Sequence, residues 1–164
     1  MGIQVRLARG EDNEAIRAIY NLEVTTSTVT FDIMPRSMAD QQAWLTARSG
    51  ALACLVAEDD AGRLVGFASL SHYRDRPAYA TTVEDSVYVD RDAQGQGIGR
   101  VLLDGIVDTA RSHGFHTVVA RIVDGHEASI ALHRACGFEL VGVEREIGRK
   151  FGRWLDVALM QRML

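Results

Sequence analysis

The sequence predicts a mixed α/β fold: one central, mostly antiparallel sheet with helices on its faces. Three observations carry the prediction. Three β-type runs follow one another between Ala51 and Val89 with no helical pattern among them, and consecutive strands are most simply antiparallel neighbours. A strand, a glycine-rich loop, a helix and a further strand then succeed each other between Thr82 and Val123, which suggests a parallel crossover. The full order is β, α, α, β, β, β, α, β, α, β, β, about seven strands and four helices.

Each element has its own signal. Ile3–Ala8 alternates apolar and polar residues and reads as a strand. Glu11–Val24 places Ala15, Ile16, Ile19, Tyr20 and Val24 at helical spacing. Thr25–Phe31 is rich in β-branched residues and is open between loop and short strand. Ser37 caps a helix through Trp44 and Leu45, with Asp40 as an imperfect capping-box partner. Ala51–Asp59 and Arg63–Tyr73 are strands joined by a hairpin at Asp59–Arg63. Arg74–Thr81 is a polar connection with a proline, and Thr82–Val89 is the third consecutive strand. Ile98–Gly114 is a helix closed by its glycine, Phe115–Val123 a strand, and Glu127–Gly137 a helix. Phe138–Gly148 and Arg153–Leu164 are terminal strands. No repeat, low-complexity tract or linker interrupts the order, so residues 1–164 are expected to form one domain.

Composition narrows the class. At 164 residues and 47% hydrophobic, the chain can bury a core without disulfides or metal. Cys54 and Cys136 lie in apolar runs and are expected to be reduced, buried thiols of a cytoplasmic protein. A membrane span and a leader pattern are both missing. The net charge of −4 argues against a nucleic-acid partner. It leaves room for a small anion, because a local nest of backbone amides holds phosphate whatever the total charge.

Such a nest is suggested by Asp90–Leu103, where Gly95, Gly97 and Gly99 occupy alternate positions just before a helix. A Walker A loop requires Lys-Ser or Lys-Thr, which this stretch lacks. The dinucleotide fingerprint requires a third glycine at position 100, which is Arg100. What remains is geometric. The amides of Gln96, Gly97, Ile98, Gly99 and Arg100 open the helix unpaired and, with the helix dipole, suit a diphosphate.

Gln94-x-x-Gly97-x-Gly99 resembles the Q/R-x-x-G-x-G/A motif of the GNAT N-acetyltransferases, in the strand–loop–helix context of that family. Thr82–Val89, the "ASIALHRACGF" segment and "KFGRWLDVALMQ" resemble its phosphinothricin and methionine sulfoximine/sulfone acetyltransferase branch, so the resemblance runs nearly end to end. It implies a sheet splayed next to strand 82–89. It also implies acetyl-CoA as cosubstrate, with Gln94, Gly95, Gln96, Gly97, Ile98, Gly99 and Arg100 at the diphosphate. Val87, Tyr88 and Val89 would then lie along the pantetheine arm, held like an added strand.

The chemistry needs a neutral amine, and a free α-amine is mostly protonated at pH 7. Glu84, on the strand that would carry the thioester, is the candidate general base. Period-two geometry puts Glu84, Ser86 and Tyr88 on one face and Asp85 and Val87 on the other. Glu84 matches the catalytic glutamate of the phosphinothricin branch, and His133 stands where many relatives carry a tyrosine that serves the leaving thiolate. His133 can donate a proton or bond the thiolate, or it can simply pack. His126 stands near a position that is asparagine in many relatives. The Val87 amide is suited to the developing oxyanion.

For the acceptor, Arg74 and Arg76 offer guanidinium forks to a carboxylate or a phosphinyl or sulfonyl oxygen pair, or else they are surface charges. The resemblance implies a small amino-acid acceptor with Phe31 as an apolar wall. It further implies that Lys150–Trp154 closes the site, across a homodimer. The histidines lack zinc-ligand spacing, so no metal is expected. No G-x-S-x-G elbow and no supported nucleophile occur, so direct attack in a ternary complex is expected. Other acceptors, a protein N-terminus or a polyamine, and a non-catalytic acyl-CoA sensor fit the same fold.

Overall fold

A computed structural model of the chain describes residues 2–164. The strands are β1 (Gln4–Leu7), β2 (Cys54–Glu58), β3 (Leu64–His72), β4 (Thr82–Val89), β5 (Thr117–Val123), β6 (Glu139–Lys150) and β7 (Arg153–Met163). The helices are α1 (Asn13–Thr26), α2 (Met38–Thr46), α3 (Ile98–Ser112) and α4 (Glu127–Ala135). Short 3-10 turns occupy Gly10–Asp12, Pro77–Tyr79 and Arg91–Ala93.

The seven strands form one sheet in the order β1-β2-β3-β4-β5-β7-β6. Every neighbouring pair is antiparallel except β4 and β5, which are joined through α3 as a parallel crossover. That one parallel pair is short. Thr82, Val83 and Glu84 face Thr117, Val118 and Val119, and the pairing stops there although both strands continue. The sheet therefore splits beyond Glu84.

Helices cover both faces, so β2 and β3 are nearly continuous apolar runs rather than alternating ones. Leu55 and Ala57 join Leu70, Val83 and Val118 in a core beneath α3, which contributes Ile98, Leu102, Leu103, Ile106 and Val107 at i, i+4 and i+3 spacing. Cys54, Val56 and Phe67 face the other way, against Ile16, Tyr20 and Val24 of α1. Leu102 is fully buried, and truncating it to Ala would cost about 2–5 kcal/mol by opening a cavity.

Local chemistry sets the boundaries. Ser37 and Asp40 do complete a reciprocal capping box: the Asp40 amide donates to Ser37 Oγ at 3.1 Å and the Ser37 amide donates to Asp40 Oδ2 at 3.0 Å. Thr25–Phe31 contains no strand. Thr25 and Thr26 extend α1, each hydroxyl donating to a carbonyl four residues back, and the chain then enters a loop that ends at α2. Strand β6 runs two residues further than its apolar pattern suggests and bends at register shifts. A two-residue turn joins it to β7, with Phe151 at φ 50° and Gly152 at φ 72°.

Candidate active site

The loop before α3 leaves a ring of free donors. Gly97 is the N-cap of α3 at φ 80°, a backbone that favours glycine, and Gly95 sits at φ 77°. The amides of Gly95, Gln96, Gly97, Ile98 and Gly99 have no hydrogen-bond acceptor among the described residues. The Arg100 amide is a correction to the sequence expectation. It donates to the Gly97 carbonyl at 3.1 Å, which also accepts from Val101 at 3.2 Å, so the first helical turn closes one residue early. The Arg100 side chain still lines the cavity of about 380 Å³ beside the loop. The free amides at a helix N-terminus fit a diphosphate.

That cavity shares Val87, Val89, Gln94, His126 and Ser129 with a second one, of about 300 Å³, which is the split between β4 and β5. The Asp90 amide donates to Val65 of β3 at 2.9 Å. Hydrogen-bonding direction alternates along a strand, so the odd-numbered residues of β4 turn their N–H and C=O groups toward the β5 side. At Val87 and Val89 no strand is paired there. The free edge fits an extended amide-bearing arm such as pantetheine.

Beyond the split lies a cavity of about 240 Å³ lined by Glu84, Ser86 and Tyr88 together with Phe31, Asp32 and Arg121. Glu84, Ser86 and Tyr88 share a face and stand opposite Ser71, Ser69 and Phe67 of β3. Burial raises the Glu84 carboxyl above the ordinary range. The Arg121 charge opposes the shift, and the Asp85 and Glu144 charges add to it. A carboxylate so placed is a stronger proton acceptor than a solvated one.

His133 lies on the other face. Its Nδ1 is 2.8 Å from the Ser129 carbonyl, an acceptor only, so Nδ1 carries a proton. Its Nε2 is 3.0 Å from Asp85 Oδ2. Burial disfavours the imidazolium, but the Asp85 carboxylate and the Ser129 carbonyl outweigh it and raise the His133 pKa above its usual value. Asp85 Oδ1 is buried without a partner among the described residues. His126, at the N-cap of α4, lines both the loop cavity and the slot, and burial lowers its pKa.

Sequence reasoning missed Asp85 and Arg121. The signal for Asp85 was its place beside Glu84 on an otherwise apolar strand; its partner is 48 residues away. Arg74 and Arg76 stand apart from the Glu84 cavity. Both are exposed on the connection before β4, and the Arg74 guanidinium lies 4.9 Å from the Tyr73 ring. Lys150 is buried, and its Nζ donates to the Thr30 carbonyl at 2.9 Å. It pins the loop that carries Phe31, whose ring packs against Gly148 so closely that no side chain fits there. Among the described residues no group of three or more His, Cys, Asp or Glu side chains is placed to hold a metal ion. None of their helices is long and apolar enough to cross a membrane.

Known proteins resemble this chain over nearly its whole length. Residues 16–138 match the model of the acetyltransferase (GNAT) family. The chain is 43% identical over 162 residues to the L-methionine sulfoximine/L-methionine sulfone acetyltransferase of Pseudomonas paraeruginosa, covering 98% of this chain and 94% of the relative. It is 44% identical to the phosphinothricin N-acetyltransferase of Alcaligenes faecalis, covering 98% and 82%. Its fold superposes on the crystal structure of a phosphinothricin acetyltransferase from Sinorhizobium meliloti in complex with AcCoA. The TM-score there is 0.96 at 40% identity, over 100% of this chain and 89% of that one.

Proposed function

The chain belongs to the acetyltransferase (GNAT) family, and from that membership we propose that it transfers the acetyl group of acetyl-CoA to the α-amine of a small amino acid of the methionine sulfone, methionine sulfoximine or phosphinothricin type. The observation that carries the reading is continuity. Free amides at a helix mouth, an open strand edge and a buried carboxylate follow one another along connected cavities.

Acetyl-CoA supplies an activated thioester. The chain's residues do the rest. The 95–99 amides hold the diphosphate, with Gln94 and the Arg100 side chain at its border, and the Val87–Val89 edge aligns the arm. Glu84, directly or through one water, takes the proton that the incoming ammonium must lose before its nitrogen can attack. The Val87 amide, turned into the slot, suits the oxygen of the reacting carbonyl. His133, its pKa raised by Asp85, lies beside the slot, and its protonated form favours negative charge on the departing sulfur. Phe31 walls the acceptor, Lys150 fixes the loop around it, and exposed Arg74 and Arg76 draw an anionic acceptor toward the site.

A homodimer fits the exposed apolar side chains of the β6–β7 hairpin, among them Leu140, Val141, Ile147, Phe151 and Trp154. Two free buried cysteines fit a reducing cytoplasm. The test is thiol release from acetyl-CoA across amino acids, peptides and polyamines. Release with methionine sulfone or phosphinothricin is expected. Release with peptides alone would move the acceptor, and tight CoA binding without any release would make the chain a sensor.

A further inference from the structure

Next to the Glu84 cavity lies a smaller one, of about 160 Å³, that shares Tyr20, Ser86 and Tyr88 with it. Two arginines line it, Arg36 and Arg48. The Arg36 guanidinium lies 3.7 Å from the Tyr20 ring centroid and 4.5 Å from that of Trp44. The Arg48 guanidinium lies 4.0 Å from the same Trp44 ring. Among the described residues neither forms an ion pair with a carboxylate. Asp32, on the wall of the Glu84 cavity, is taken by the Tyr20 hydroxyl.

The arrangement is built rather than incidental. The backbone of Arg36 is clamped on both sides by one residue of α1: its amide donates to Asn21 Oδ1 at 2.8 Å and its carbonyl accepts from Asn21 Nδ2 at 2.9 Å. Gln41 Oε1, fully buried, fixes Arg36 Nη1 at 3.0 Å. Arg48 is tied to the Trp44 carbonyl at 3.0 Å and to Ser71 Oγ at 2.8 Å, while its Nε is buried without a partner among the described residues. Ser71 stands directly opposite Glu84 across the β3–β4 pair, on the same face. Two like charges held against one indole repel, and burial together with the Arg36 charge brings the Arg48 pKa down to about 10. A stacked guanidinium keeps its in-plane N–H groups for an oxyanion. An anion between the two would relieve the repulsion and use the free donors.

We propose that Arg36 and Arg48 form the subsite for an oxygen-bearing acceptor group, its α-carboxylate or its side-chain sulfonyl or phosphinyl oxygens, and so set preference for an amino acid carrying that group whose amine rests at Glu84. This rests on the acetyltransfer reading above. It assigns the inner recognition of the acceptor to Arg36, on the loop between α1 and α2, and Arg48, just after α2, rather than to Arg74 and Arg76.

The test compares wild type, Arg36→Gln and Arg36→Met with three acceptors: methionine sulfone, its carboxamide and methionine. The Met variant keeps the stem packed on Tyr20 and Trp44, and the KM for acetyl-CoA reports whether each variant is folded. The expected result is an acceptor KM for methionine sulfone raised about tenfold or more, the scale of a lost charged hydrogen bond, with the KM for acetyl-CoA within about twofold. If the arginines hold the carboxylate, the carboxamide is insensitive to the substitutions; if they hold the sulfonyl oxygens, methionine is. Equal sensitivity of all three acceptors, or none, in variants that keep normal acetyl-CoA kinetics overturns the subsite alone. Wild-type enzyme inert toward all three, and toward phosphinothricin and peptides, overturns the acetyltransfer reading and the subsite with it.

Discussion

His133 Nε2 lies 3.0 Å from Asp85 Oδ2, with both side chains buried in the slot between β4 and β5. An imidazolium there would be expelled by desolvation alone; the carboxylate retains it. Because His133 is raised above its unfolded pKa, the pair's contribution to stability is fully present below about 6.5 and lost as pH rises through the folded value. Asp85→Ala removes the counter-ion of the buried imidazolium and should cost about 3–5 kcal/mol at pH 5, and less at higher pH. Thermal melts across pH check this. Asp85→Asn should bring the His133 titration, followed by its ring-proton resonance, below 6.5, since burial then dominates. An unchanged titration would remove Asp85 as the counter-ion.

Glu84→Gln removes the proposed base while keeping size and packing. The turnover number should fall about 10²–10⁴-fold, with the KM for acetyl-CoA within about twofold. In the wild type, kcat/KM should rise with pH through a midpoint above the ordinary glutamate value, because burial raises Glu84. Equal loss of turnover and cofactor affinity would make the residue structural.

Gly97 sits at φ 80° with open space where a Cβ would be. Gly97→Val should therefore cost about 1–2 kcal/mol in backbone strain. It also places a branched side chain over the free amides. The KM for acetyl-CoA should rise well beyond that for the acceptor. A variant equally impaired toward both substrates would indicate a distorted fold rather than an obstructed loop.

Trp154→Glu puts a charge on the exposed apolar face of the β6–β7 hairpin, where Trp154 is 60% exposed. Sedimentation should show a dimer for the wild type and a monomer for the variant. A wild-type monomer at micromolar concentration would remove the dimer from the account.

Most of the fold was legible because its signals are local. The alternation of Thr82–Val89 fixed both the strand and the face that carries Glu84, and the helical spacing from Ile98 to Ala110 located α3. Thr25 and Thr26 were ambiguous because β-branched residues favour strands, yet here their hydroxyls bond back into α1. The glycine loop was legible as a nest, but the early closure at Arg100 depends on the left-handed backbone of Gly97, which residue identity permits without requiring. The pairs Asp85–His133 and Lys150–Thr30, and the two arginines on Trp44, join residues brought together only by tertiary packing. No local pattern announces them.

The most direct measurement is a crystal structure with CoA and methionine sulfone bound together. It should show the diphosphate on the 95–99 amides, the thiol end in the slot beside Val87, and the acceptor nitrogen within hydrogen-bond reach of Glu84 directly or through one water. CoA bound elsewhere with the slot empty, or an acceptor nitrogen remote from Glu84, would contradict the proposed chemistry.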